Sequence, residues 1–161
     1  MSIRYKKNIL ITPTGVSFCD VSANNVVEID YEGNSLDSKK KPSMEKPLHL
    51  LIYKNREDVN AIIHTHTPYI TACSMAGKDI SSFPILEMKY LFKSNVPMVD
   101  VFPAGSDGLA KAVVKNIKES NAVILKNHGV VIVGKTLSEA YYTLEALEYV
   151  AQVAILTNIS K

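Results

Sequence analysis

The stretch Val59-Asn-Ala-Ile-Ile-His-Thr-His-Thr-Pro68 limits the folds open to this chain more than any other. Val59 through Ile63 reads as a buried strand, and Pro68 suits the first turn of a helix, so two histidines fall at a strand-to-helix junction. Residues i and i+2 of a strand project to the same side, which lets His64 and His66 converge on one point. Neutral imidazole is the commonest side-chain ligand for divalent transition metals, and a catalytic zinc site takes three protein ligands and keeps a position open. The chain has 4 histidines, and His128 lies in Lys126-Asn-His-Gly-Val130, after the apolar run Ala122 to Leu125, where a strand end or turn is expected. Two histidines alone are equally compatible with a partly buried pair. A third at another strand end favours a metal site, whereas His49, on a helix beside Leu48 and Leu50, reads as a satisfied core residue.

A chain of 161 residues suits one domain, 1–161, with a core large enough to need no staples, so a metal here serves chemistry and not folding. Hydrophobic content of 47% with 21% charged residues is that of an ordinary globular protein. No apolar run approaches the roughly 18 residues that cross a bilayer, and nothing after the basic Met1–Lys7 segment resembles a signal peptide, so a cytoplasmic location and no membrane partner are expected. A net charge of +2 from scattered lysines gives no reason to expect nucleic acid, and Lys39-Lys40-Lys41 is better explained as a solvated loop. Cys19 and Cys73 form no CxxC pair and are expected to be free thiols used in packing.

Asn8 to Thr12 reads as a strand entering the turn Thr12-Pro-Thr-Gly15, which is either an ordinary strand-ending turn or a cradle for phosphate. Asn25 to Asp30 is a second strand closed by the tight turn Tyr31–Asn34, so the sheet starts antiparallel. Leu48, Leu51 and Ile52 recur at helical spacing with Ser43 as N-cap and Glu45 in the first turn, where a carboxylate suits the helix dipole. A helix from Pro68 to about Ala76 stops at Gly77; Leu86-Glu-Met88 is a short helical piece in an ambiguous region. Val96–Phe102 contains a strand, followed by a helix capped by Ser106 or Asp107 with Leu109, Ala112, Val113 and Ile117 as its buried stripe. Ala122–Leu125 and Val130–Val133 are strands, and the capping box Thr136-Leu-Ser-Glu139 opens a helix with Ala140, Leu144, Leu147, Ala151 and Ala154 on one face. The sum is a single α/β domain with a mostly antiparallel sheet flanked by helices.

Four stretches of this sequence resemble the class II aldolase and adducin family, and within it the aldolases acting on fuculose and rhamnulose 1-phosphates. They are Ile11-Thr-Pro-Thr-Gly15, Lys41-Pro-Ser-Met-Glu45 with His49, Val59 to Pro68, and Lys126-Asn-His-Gly129 with the Thr136–Val153 helix. The resemblance implies a three-layer α/β/α fold and a homotetramer with active sites at subunit contacts. It implies that His64, His66 and His128 bind Zn²⁺ or a similar divalent ion, and that Glu45 is the acid/base carboxylate, able to approach the metal without substrate. Thr14, Gly15 and Ser43 would line a phosphate site. The implied substrate is a small phosphorylated sugar, a ketose 1-phosphate such as L-fuculose 1-phosphate, cleaved to dihydroxyacetone phosphate and an aldehyde.

The residue types suit that chemistry. Retro-aldol cleavage leaves an enediolate whose oxygens a divalent metal stabilises, a carboxylate moves a proton at carbon, and phosphate contacts orient the reacting carbons. Three departures stand out. The family's Gly-Asn-Ile-Ser stretch would be ending at Ser2-Ile3-Arg4, Met44 replaces its second serine, and the tyrosine of its C-terminal tail has no counterpart. Tyr90 lies near a further family tyrosine, but the spacing differs and that role is not carried over. Sugar-phosphate epimerases, dehydratases and adducin-like binding paralogues share these motifs, although an epimerase would usually carry an aspartate in place of Glu45.

Overall fold

Apolar runs at Ala61–Ile63, Ala122–Leu125 and Val130–Val133 bury both faces of their strands only if helices cover both sides of the sheet. The structure, a computed structural model describing residues 1–92 and 95–159, has this arrangement. Seven strands and five α-helices follow the order β1 (Ser2–Tyr5), β2 (Asn8–Ile11), β3 (Val27–Ile29), α1 (Lys46–Asn55), β4 (Ala61–Thr65), α2 (Pro68–Met75), α3 (Leu86–Phe92), β5 (Met98–Val99), α4 (Asp107–Asn116), β6 (Ala122–Leu125), β7 (Gly129–Gly134) and α5 (Leu137–Ile159) among the described residues. The sheet runs β3-β2-β1-β4-β7-β6-β5, and every pair is antiparallel except β5 with β6.

Alternation sorts the central strands between two cores. Ile62, Val123, Leu125, Val131 and Val133 pack with Leu48 and Ile52 of α1 and Leu109 and Val113 of α4. Their neighbours Ile63, Ala122, Ile124, Val130 and Ile132 pack with Ile70 of α2, Met88 of α3, and Ala140, Leu147 and Ala151 of α5. Ser106 caps α4 by accepting from the Leu109 N–H (3.1 Å). Thr136 caps α5 through the Glu139 N–H (3.0 Å), while the Glu139 carboxylate reaches the N–H of Lys135 and not that of Thr136. Among the described residues no helix is long and apolar enough to cross a membrane.

Several expectations need correction. Ser43 is not the N-cap of α1: Glu45 is, and its side chain makes no capping bond because it is turned toward Gly105. Pro47 in the first turn starts the helix instead. The strand expected within Val96–Phe102 is present as Met98–Val99 and is short, bounded on one side by Pro97, which cannot donate to a ladder. The Val59–Ile63 strand is displaced to Ala61–Thr65, placing His64 within it. Cys73 is buried as expected, but Cys19 is exposed and packs no core.

Strand β1 has no strand-like signature in the sequence, because Arg4 interrupts its apolar pattern. That arginine adds side-chain ties to the ladder that β1 forms with β2 and β4. Its Nε donates to Val59 O (2.7 Å), Nη1 to the Tyr31 hydroxyl (2.5 Å), and Nη2 to Tyr53 O (2.7 Å) and Arg56 O (3.1 Å). The guanidinium also lies 4.7 Å from the Tyr53 ring centroid. It thus meets carbonyls at the negative C-terminal end of α1 and ties β1 to the loop feeding β4. Arg4→Ala is expected to lower stability by about 2–4 kcal/mol, because several partly buried acceptors lose a charged donor. Urea unfolding checks this: a midpoint within error of the parent at equal m-value would show that the network contributes nothing.

Candidate active site

The three histidines reach one place from two separate chain segments. His64 lies in β4 on the face of Ile62, and His66 follows one residue beyond the strand end. His128 ends the three-residue turn between β6 and β7, closed by its own N–H to Leu125 O (3.0 Å). The ring centroids are 5.2 Å apart for His64–His66, 4.9 Å for His64–His128 and 4.8 Å for His66–His128. One nitrogen from each ring lies within 4.8 Å of the others, a group able to hold a metal ion.

Gly129 makes this approach possible. A Cβ at that position would stand 2.4 Å from Thr65 O and 2.9 Å from His66 Cδ2, so any side chain would push the turn off the end of β4. In the sequence Gly129 stands only as part of a motif, and nothing local to it signals this constraint.

Hydrogen bonding sets the tautomer of His64. Its Nδ1 lies 3.0 Å from Val130 O, a group that only accepts, so Nδ1 carries the proton and Nε2 offers its lone pair. That Nε2 is buried with no partner. An orphaned buried acceptor is costly, and a metal ion would satisfy it, so the residues present fit a divalent transition metal. Burial pushes the His64 pKa down from 6.5 to about 3, outweighing the bond to Val130. Burial also lowers His128, helped by His66 and opposed by the Glu45 charge. Both shifts favour the neutral imidazole that a metal requires.

Glu45 is buried, with 7% of its surface exposed. Its Oε1 accepts from the Gly105 N–H (2.9 Å), and its Oε2 is buried without a partner. Glu45 and the three histidines share a cavity of about 270 Å³ with Thr14, Gly15, Ser43 and Met44. All the expected site residues are therefore brought together. The turn around Thr14 is held against the segment before Glu45 by Thr14 N–H to Lys41 O (3.1 Å) and Ser43 N–H to Thr12 O (3.0 Å). Gly15 has φ +71°, a left-handed conformation, and open space where a side chain would stand. Ser43 Oγ accepts from the Glu45 N–H (3.2 Å), so its own proton remains a donor.

Other residues at the cavity were not anticipated. Val16, Phe18 and Ala104 line it, as does His49, whose Nδ1 lies 2.7 Å from Ser2 Oγ at the back of the site. The Ala104-Gly-Ser106 segment reads as a plain turn in sequence, and nothing in it signals that its amide holds a carboxylate 60 residues away. Tyr90 is exposed on α3 and does not line this cavity. A larger cavity of about 570 Å³ on the far side is lined by Arg56, but that guanidinium is already committed to Asp58 and to the Ile117 and Ser120 carbonyls.

Three histidines and a carboxylate around one cavity of a three-layer α/β domain define a candidate metal-dependent active site. The chain belongs to the class II aldolase and adducin family, whose N-terminal domain model matches residues 1–155. It is 42% identical over 159 residues to an L-fuculose phosphate aldolase of Methanococcus maripaludis, covering 98% of this chain and 84% of that one. With the L-fuculose phosphate aldolase of Methanocaldococcus jannaschii it shares 38% identity, over 100% of this chain and 86% of the other. The crystal structure of L-fuculose-1-phosphate aldolase from Thermus thermophilus superposes with a TM-score of 0.85 at 26% identity, covering 98% of this chain and 82% of that one.

Burial of His64 makes its contribution to stability depend on pH. Protons bind more tightly to the unfolded chain, so the stability from this residue is fully present above pH 6.5 and is lost as pH falls toward 3. The metal-free chain is expected to be about 2 kcal/mol less stable at pH 5 than at pH 7 through this residue. Denaturant titrations in the presence of chelator measure it, and a flat profile between those pH values would contradict the buried neutral state.

Proposed function

We propose that this chain is a zinc-dependent class II aldolase that cleaves a ketose 1-phosphate, with L-fuculose 1-phosphate the favoured substrate, to dihydroxyacetone phosphate and an aldehyde. The observation that carries the reading is the pair of orphaned buried atoms, His64 Nε2 and Glu45 Oε2, facing one cavity in a chain of this family. The names of the relatives supply the substrate class.

His64, His66 and His128 would hold the ion, and Glu45 would join them when substrate is absent; three nitrogens and an oxygen suit zinc. When bound, the ion supplies Lewis-acid stabilisation of the negative charge that develops on substrate oxygens as the carbon–carbon bond breaks. Glu45 carries the proton to the carbon left behind by cleavage. Its anchored Oε1 fixes the carboxyl group and its free Oε2 is the atom that exchanges the proton. The hydroxyls of Thr14 and Ser43 and the backbone at Gly15 hold the phosphate. No lysine or arginine lines the cavity among the described residues. Met44 stands at the same wall and contributes no hydroxyl.

The same reading includes a homotetramer. In its support, Leu137, Tyr141, Tyr142, Tyr149 and Leu156 leave apolar surface exposed along α5. Sedimentation at micromolar concentration tests the assembly, and a strictly monomeric chain would remove it.

The decisive experiment measures aldehyde release from a panel of ketose 1-phosphates at saturating zinc. Glu45→Gln should keep the fold and bind zinc, with turnover reduced about 100-fold to 10,000-fold. Equal rates in parent and variant would take Glu45 out of the mechanism. A parent that binds zinc but cleaves no sugar phosphate would replace the aldolase reading with that of a binding paralogue.

A further inference from the structure

Helix α2 begins two residues after His66, and its N-terminus is capped in an unusual way. Thr67, at the N-cap position, makes no capping bond, and its Oγ1 is buried without a partner. The carboxylate of Glu148, reaching across from α5, takes its place: Oε1 accepts from the Tyr69 N–H (2.9 Å) and Oε2 from the Ile70 N–H (3.0 Å). Both oxygens meet first-turn amides at the positive end of the helix, the geometry in which a carboxylate binds most firmly. One turn further along α5, Gln152 Nε2 donates to the Tyr69 hydroxyl (3.3 Å), a second tie between the same two helices.

The far end of α2 is tied to the other side of the metal cluster. Ser74 is fully buried, and its Oγ donates to Thr71 O (2.7 Å) while accepting from the Asn127 N–H (3.1 Å). Asn127 precedes His128 and holds the left-handed conformation (φ 58°) on which the β6–β7 turn depends. One short helix is therefore bonded at its start beside one ligand and near its end beside another. We infer that α2 is a bracket that sets the separation of His66 and His128, and that Glu148 and Ser74 are positioning residues for the metal site. Each acts through backbone amides, Glu148 through those of Tyr69 and Ile70 at the start of α2 and Ser74 through that of Asn127. The inference rests on the three-histidine site holding a metal, and goes beyond it in naming what holds the ligands apart.

Co²⁺ titration of the full metal-stripped chain tests it, with the visible ligand-field spectrum at saturation as a second readout. Glu148→Gln, which keeps the size of the side chain but leaves one acceptor opposite two amides, should weaken Co²⁺ binding about tenfold and alter the band shape. Ser74→Ala, which orphans the Asn127 amide, should do the same. Thr136→Ala is the control: it removes the cap of α5 far from the histidines and should lower Tm without moving the Kd or the spectrum. Parent-like Kd and spectrum in folded Glu148→Gln and Ser74→Ala would overturn the bracket, whatever their Tm. A parent that takes up no Co²⁺ would overturn the three-histidine reading, and the bracket with it.

Discussion

The site depends on how closely the β6–β7 turn lies against the end of β4. Those strands are neighbours through β7, whose register sets His64 opposite Val131 and Thr65 opposite Val130. The pairing delivers two histidines at one strand end and a third on the adjoining turn. It also brings Val130 O to His64 Nδ1, so the hydrogen bond that orients the buried ring comes from the ladder itself. Moving β7 by one residue would turn its side chains to the opposite faces and remove both contacts at once.

Around that junction the protein holds polar atoms in positions that folding alone does not reward. His64 is neutral because burial excludes the charged form, and its bare nitrogen has no neighbour to accept from. Glu45 is buried with half of its carboxylate anchored and half free. Stability would be served better by apolar side chains at both positions. Their presence beside a core built largely of apolar side chains is the physical mark of a site kept for a ligand.

The parts of this arrangement that were legible in sequence are those set by local periodicity. A two-residue period brings His64 and His66 to one side, and a turn between two apolar runs holds His128 near a strand end. The fold class followed from the same runs. What escaped was set by contacts between distant segments. Strand β1 is tied down in part by Arg4, whose partners are carbonyls about 50 residues away and leave no trace in its own pattern. Glu148 looks like one more charged residue on the outer face of α5, and only tertiary structure shows that it faces two amides of α2. Ser43 suits a cap by residue type, yet Pro47 and the pull of Gly105 on Glu45 move the helix start by two positions.

Two glycines at this site carry opposite constraints. At Gly129 the backbone is ordinary and the space is absent, so the residue belongs to the frame. At Gly15 the space is open and only the left-handed backbone restricts the choice of residue. Asparagine and aspartate tolerate that backbone, so position 15 is a place where the cavity can be narrowed or given a new polar contact while the histidines stay where they are. Divergence in ligand size within such a scaffold has an inexpensive route through that loop and none through the turn that carries His128.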